Sequence, residues 1–147
     1  MKAKLISISF LTLILFFSCK KEDEKYSNTP EIEYVSLSPS SAPEFSQNVR
    51  LVIKYKDGDG DIGTVDPDSY SLFIKDSRLP KADEYHVQPL SPPGSSIQIE
   101  GELNIKLAGP FVLGTGTSET TSFKVKLKDR AGNFSNEITT GSITITK

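Results

Sequence analysis

The sequence predicts an all-β fold, an antiparallel two-sheet sandwich of about seven strands. Three observations predict it. Apolar residues recur with a period of two wherever a pattern exists, and no window carries a helical stripe. Glycine (10) and proline (9) are frequent among the 147 residues, as expected of short strands joined by turns. The length and a formal charge of −2 argue for one domain without the basic footprint of a nucleic-acid binder.

The first element in the chain precedes the fold. Lys2 and Lys4 form a positive region ahead of an apolar run of thirteen residues, Leu5 to Phe17. A spanning helix needs about 20 residues. The run therefore reads as the hydrophobic part of a signal peptide over residues 1–18, with Ser18 at the cut. Cys19 is the single cysteine, which excludes an internal disulfide and a cysteine-based zinc site. His86 is the single histidine, which argues against histidine metal chemistry and a histidine-dependent triad. Phe16-Phe17-Ser18-Cys19 resembles the lipobox of bacterial lipoproteins. The resemblance implies cleavage before Cys19, a thioether-linked diacylglycerol and an acylated new amino terminus. Several acyl chains give stable membrane attachment, at about 0.8 kcal/mol per buried CH₂. The other reading is an incidental thiol behind an ordinary signal peptide or an uncleaved anchor.

Lys20-Lys21-Glu22-Asp23-Glu24-Lys25 comes next. Residues 19–29 are polar and lack apolar periodicity, so they are expected to be a disordered tether. The run also resembles the lysine-plus-acid signal after the lipid cysteine of Bacteroidota lipoproteins carried to the outer face of the outer membrane. That implies surface exposure, with a periplasm-facing position as the alternative.

Residues 30–147 carry the strands. Ile32, Tyr34 and Ser36 alternate with Glu31, Glu33 and Val35 in the first. Val49, Leu51, Ile53 and Tyr55 share one face of the second, opposite Arg50, Lys54 and Lys56. Tyr70, Leu72 and Ile74 mark the third, with Phe73 on its other side. Prolines 80, 89, 92 and 93 leave room for only a short edge strand near Tyr85 to Gln88. Ile97, Ile99, Leu103, Ile105 and Leu107 give the longest alternation, with Gly101 marking a bulge or bend. Residues 109–122 read as a long connection plugged by Phe111, Val112 and Leu113. Phe123, Val125 and Leu127 alternate with Lys124, Lys126 and Lys128, and Ile143 and Ile145 close the chain.

This strand number matches a sandwich of the immunoglobulin or fibronectin type III kind, without the usual Cys–Trp–Cys core. Asp129-Arg130-Ala131-Gly132-Asn133-Phe134-Ser135-Asn136 resembles the Asp-x-x-Gly-Asn-x-Ser loop before the last strand of many bacterial Ig-like domains. Tyr55-Lys56-Asp57-Gly58-Asp59-Gly60-Asp61-Ile62-Gly63 is similar to a loop of Bacteroidota lipoproteins of about this size. The resemblance implies a surface lipoprotein with an Ig-like domain and no particular activity.

Asp57, Asp59 and Asp61 make the densest run of one charge sign in the chain. Their x, x+2, x+4 spacing sets carboxylates around one point, and glycines let a loop wrap a cation. Calcium takes six to eight oxygen ligands of this kind. The loop is not an EF-hand, because Ile62 and Asp68 stand where that motif needs glycine and glutamate. In a sandwich this loop lies at the same end as the 129–136 loop, which adds Asp129 and Asn133 to the expected ligand set of a structural calcium site. The alternative is a metal-free turn whose side chains cap backbone groups, with Asp129 and Asn133 bonding their own loop.

The expected function is a lipid-anchored, non-enzymatic envelope module that binds or presents a protein or glycan partner. The runner-up is an accessory glycan-binding lipoprotein beside a transporter or hydrolase. The lysines 124, 126 and 128 are either a solvated face or a contact for an anionic partner. An Asp59–Glu84 glycosidase pair is disfavoured by the small size of the domain.

Overall fold

A computed structural model describes residues 25–147. The expected signal peptide, Cys19 and the start of the tether lie outside them. Ten strands follow in order: β1 (Glu31–Ser38), β2 (Ser41–Pro43), β3 (Arg50–Asp57), β4 (Leu72–Asp76), β5 (Asp83–Tyr85), β6 (Ile99–Lys106), β7 (Ser118–Thr121), β8 (Phe123–Leu127), β9 (Ile138–Thr139) and β10 (Ile143–Thr146). They form three sheets, ordered β1-β3-β6, β5-β4-β8-β9 and β2-β10-β7, and no helix occurs among the described residues. All strand pairs are antiparallel except β2 with β10.

The fold is the all-β sandwich that the period-two pattern predicts. Val49, Leu51 and Ile53 from the β3 face, Leu72 and Ile74 from β4, Val125 and Leu127 from β8, and Ile143 from β10 meet in one core. Each such side chain contributes about 1.5–3 kcal/mol through burial.

The departures have local causes. A bulge drops Val35 from the β1–β3 ladder, so Leu37, not Ser36, follows Tyr34 on the face opposite Leu51 and Ile53. Gly101 makes no bulge: it pairs with Tyr55 in an unbroken register, and a Cβ there would lie 2.7 Å from the Tyr55 hydroxyl. Its bareness admits the tyrosine ring. The edge strand β5 begins two residues before Tyr85, and Tyr70 lies outside β4. Phe73, opposite Glu84 on the β4–β5 pair, packs edge-on to Phe134, with ring centroids 5.4 Å apart. Of the expected plug only Val112 is buried; Phe111 and Leu113 are exposed. β7 lies within the stretch expected to be loop, because Ser-Glu-Thr-Thr carries no apolar alternation.

The 107–117 connection is held by ions instead. Arg78 grips Asp76 through Nε (3.0 Å to Oδ1) and Nη2 (2.7 Å to Oδ2), and Glu119 through Nη1 at 2.6 Å. Its Nη2 also donates to the Phe111 carbonyl. Glu119 in turn accepts from the Leu113 and Gly114 amides. Burial alone would raise the Asp76 pKa, but hydrogen bonds from Arg78 and Thr121 overcome it and hold the carboxyl below its usual range.

The described end of the tether is docked to the domain, contrary to the expectation of disorder up to Pro30. The Tyr26 amide donates to Gln98 Oε1 at 2.6 Å and its hydroxyl to Glu100 at 2.7 Å. Lys56 sits 5.1 Å above its ring, and the Gly58 amide donates to the Ser27 carbonyl at 2.7 Å.

Candidate metal centre

β3 delivers the first carboxylate of the acidic loop. Strand side chains alternate between faces, so the core face running Val49, Leu51, Ile53 and Tyr55 continues into Asp57. Asp57 is 0% exposed. The chain then turns through Gly60 (φ 71°) and Gly63 (φ 83°), left-handed conformations that cost glycine least. Neighbours close in on both: a Cβ at Gly60 would lie 2.5 Å from the Ile97 carbonyl, and one at Gly63 would overlap the Gln88 carbonyl. Fully buried Ile62 pins the loop between these turns, bridging to Asp129 and accepting from the Leu90 amide at 3.1 Å. The Ser91 hydroxyl donates to the Gly60 carbonyl at 2.5 Å.

This path brings carboxylate oxygens of Asp57, Asp59 and Asp61 within 4.8 Å of one another. Asp57 Oδ2 accepts from the Asp61 amide at 2.9 Å, and Asp61 Oδ2 from the Ala131 amide at 3.1 Å. The Oδ1 atoms of Asp57, Asp59 and Asp61 are all buried without a hydrogen-bond partner. Most buried polar atoms are paired, so three such oxygens in one cluster need a cause.

The electrostatics agree. Burial pushes the Asp57 carboxyl up to about 6, with the charges of Asp59 and Asp61 adding to it and the Asp61 and Gly60 amides opposing it. Asp61 is also raised, by burial first and then by Asp129 and Asp59. Converging carboxylates resist ionising together, and a cation relieves them. The cluster can hold a metal ion, and its all-oxygen donor set suits a hard one.

Asp129 stands outside this group of three, near enough for its charge to raise Asp61, and it is hydrogen-bonded to Asn133. Asp129 Oδ1 accepts from the Asn133 amide at 2.7 Å and Oδ2 from the Asn133 side chain at 2.9 Å. The Asp129 amide returns a bond to the Asn133 carbonyl at 3.1 Å. The turn thus closes on itself and uses both carboxylate oxygens. The two loops do meet at one end, as expected, but through other groups: the Arg130 amide donates to the Asp61 carbonyl at 3.2 Å, and Arg130 Nη1 to the Gly63 carbonyl at 2.9 Å. Ser91, Ser27 and Tyr26 shape the site from segments with no sequence signal. The burial of Asp57 did have one, because the alternation from Val49 runs straight into it.

The Asp57 carboxyl is raised from 3.8 to about 6 in the folded chain, first of all by burial. The folded state therefore holds an extra proton between those values, so its metal-free stability rises as pH falls through 6. The thermal midpoint in EDTA is expected to be higher at pH 5 than at pH 7. Below about pH 4 the trend reverses, as Asp76, with its lowered pKa, takes up its proton. A midpoint that declines steadily from pH 7 to pH 5 would contradict the buried cluster.

Comparison with protein-family models, curated proteins and solved structures finds no match to this chain. Fold and site together define an all-β sandwich with a buried carboxylate cluster at one end.

Proposed function

We propose that the protein is a lipid-anchored cell-envelope module, a binding or presentation domain and not an enzyme, whose sandwich is completed by a structural calcium ion. The observation that carries the calcium reading is the set of three buried, unpartnered oxygens on Asp57, Asp59 and Asp61. These residues supply the protein's carboxylate ligands, and backbone carbonyls and water complete the six to eight that calcium takes. The Phe16-Phe17-Ser18-Cys19 motif supports the anchor. The non-enzymatic reading is supported by the placement of Asp59 in the ion cluster and Glu84 opposite Phe73 on the β4–β5 pair.

The test uses a soluble form beginning at Lys20, which keeps the docked Tyr26 and Ser27. Extracellular calcium modules bind at about 10⁻⁴–10⁻³ M. A tenfold excess over that constant stabilises by about 1.4 kcal/mol, a rise of a few degrees in unfolding temperature. Asp59→Asn is expected to remove most of that rise, and magnesium to replace calcium poorly because it demands tight octahedral geometry. Identical midpoints in EDTA and millimolar calcium, with no heat of binding by calorimetry, would sink the calcium reading. For the anchor, Cys19→Ala is expected to abolish acylation and release the protein from membranes. Palmitate incorporation at the wild-type level in that variant would refute it.

A further inference from the structure

Beside the ion loop lies a cleft of about 720 Å³ between the 64–71 segment and the 128–134 turn. We propose that this cleft binds a neutral saccharide. Its size is that of a small-ligand site. Phe73 and Phe134 pack edge to face within it, at an interplanar angle of 61°. Tyr70 and Phe134 remain 41% and 48% exposed, so aromatic surface stays open toward the cleft.

The polar groups around these rings select the ligand. Lys128 Nζ lies 5.7 Å and 5.9 Å from the Phe73 and Phe134 ring centroids and has no ion-pair partner among the described residues. Its strand neighbours Lys124 and Lys126 differ, both reaching Glu137 at 3.0 Å and 3.4 Å. Asp68 and Glu84 line the same cleft, and among the described residues no hydrogen bond or ion pair is made to either carboxylate. Asp129 is spent on Asn133. The cleft therefore keeps unspent acceptors and an unspent donor around aromatic surface. An anion would face Asp68 and Glu84, a cation would face Lys128 and Arg130, and an apolar ligand would strip water from all four unpaid. A hydroxyl both donates and accepts. A pyranose ring offers several, along with a C–H face that packs on an aromatic ring.

Both walls hang on the ion loop. One continues from Gly63 into Thr64; the other is tied by Arg130 to the Asp61 and Gly63 carbonyls and by the Ala131 amide to Asp61 Oδ2. Calcium at the cluster then fixes the walls relative to each other and strengthens binding. This coupling rests on the calcium reading, whereas the cleft does not.

The experiment prints an array of neutral oligosaccharides beside uronate and sulfated ones and probes it with the soluble chain, in millimolar calcium and in EDTA. Calorimetry with the strongest neutral oligosaccharide then compares the wild type with Tyr70→Ala, Phe134→Ala and Lys128→Met. The expected result is binding to neutral saccharides, at least tenfold weaker in each variant and weaker in EDTA, with every variant still folded at the assay temperature and its calcium heat unchanged. No neutral binding by the folded, calcium-loaded chain would overturn the proposal, as would binding confined to uronate or sulfated glycans. So would wild-type affinity in a Tyr70→Ala/Phe134→Ala double variant. Equal affinity in calcium and EDTA would overturn the coupling. Should calorimetry show no calcium binding at all, the ring variants assayed in EDTA still decide the cleft.

Discussion

Arg78→Met is expected to cost about 3–5 kcal/mol, because it leaves the Asp76 charge buried without its partner. The side chains of Arg78 and Asp76 are only 16% and 10% exposed. Methionine fills much of the space but its side chain donates nothing, so only the Thr121 hydroxyl (2.6 Å) and the backbone amide of residue 78 (2.9 Å) would still donate to the Asp76 carboxylate, both at Oδ1. Glu119 would lose its 2.6 Å ion pair, and the Phe111 carbonyl its donor. For a domain of this size the loss corresponds to roughly 10–20 °C in thermal midpoint. Adding Asp76→Asn should recover part of it, since no unpaired buried charge then remains. Denaturant unfolding of the single and double variants measures both numbers. A loss below about 1 kcal/mol for Arg78→Met would mean that water replaces the guanidinium without difficulty.

Asp57→Asn is expected to act in opposite directions with and without metal. Without calcium the wild-type carboxylate is a strained group at pH 7, its pKa raised from 3.8 to about 6. Each unit of such a shift is about 1.4 kcal/mol, so the amide should stabilise the metal-free domain by about 2–3 kcal/mol. The side-chain carbonyl still accepts from the Asp61 amide, and the new NH₂ donates toward the neighbouring carboxylates. The same change removes a charged ligand, so the calcium-induced rise in midpoint should vanish. Thermal scans of wild type and variant, each in EDTA and in calcium, give the four midpoints. A variant less stable than wild type in EDTA would show that the Asp57 charge is not repelled in the metal-free fold.

Much of the architecture was legible because β3, β8 and β10 alternate cleanly, and alternation against one core dictates a face. The pattern failed where neighbours override local sequence. β2, β7 and β9 are held by ladder hydrogen bonds to better strands, and residues such as Ser118 or Thr139 announce nothing. The bulge at Val35 shifts a face without leaving a breaker residue. The acidic cluster was readable as spacing, since carboxylates two apart on a glycine-punctuated turn converge. What spacing did not reveal is that Asp129 and Asn133, four residues apart in a turn, also hydrogen-bond each other. The aromatic cleft escaped notice because Tyr70 and Phe73 read as opposite faces of one strand, and Phe134 joins them from a turn much further along the chain.

The docking of Tyr26 and Ser27 also sets the mechanics of the molecule. A pull on the amino-terminal segment meets first the Tyr26 bonds to Gln98 and Glu100 at the start of β6, and then the Ser27–Gly58 bond within the turn that carries Asp57, Asp59 and Asp61. From there the load passes along the backbone to Asp61 and Gly63 and across their carbonyls to Arg130. Were the proposed anchor and saccharide both in place, the load between them would be shared by this short path and by β6, which holds Tyr26 through Glu100. The proposed ion would then act as a rivet on the loop branch of that load.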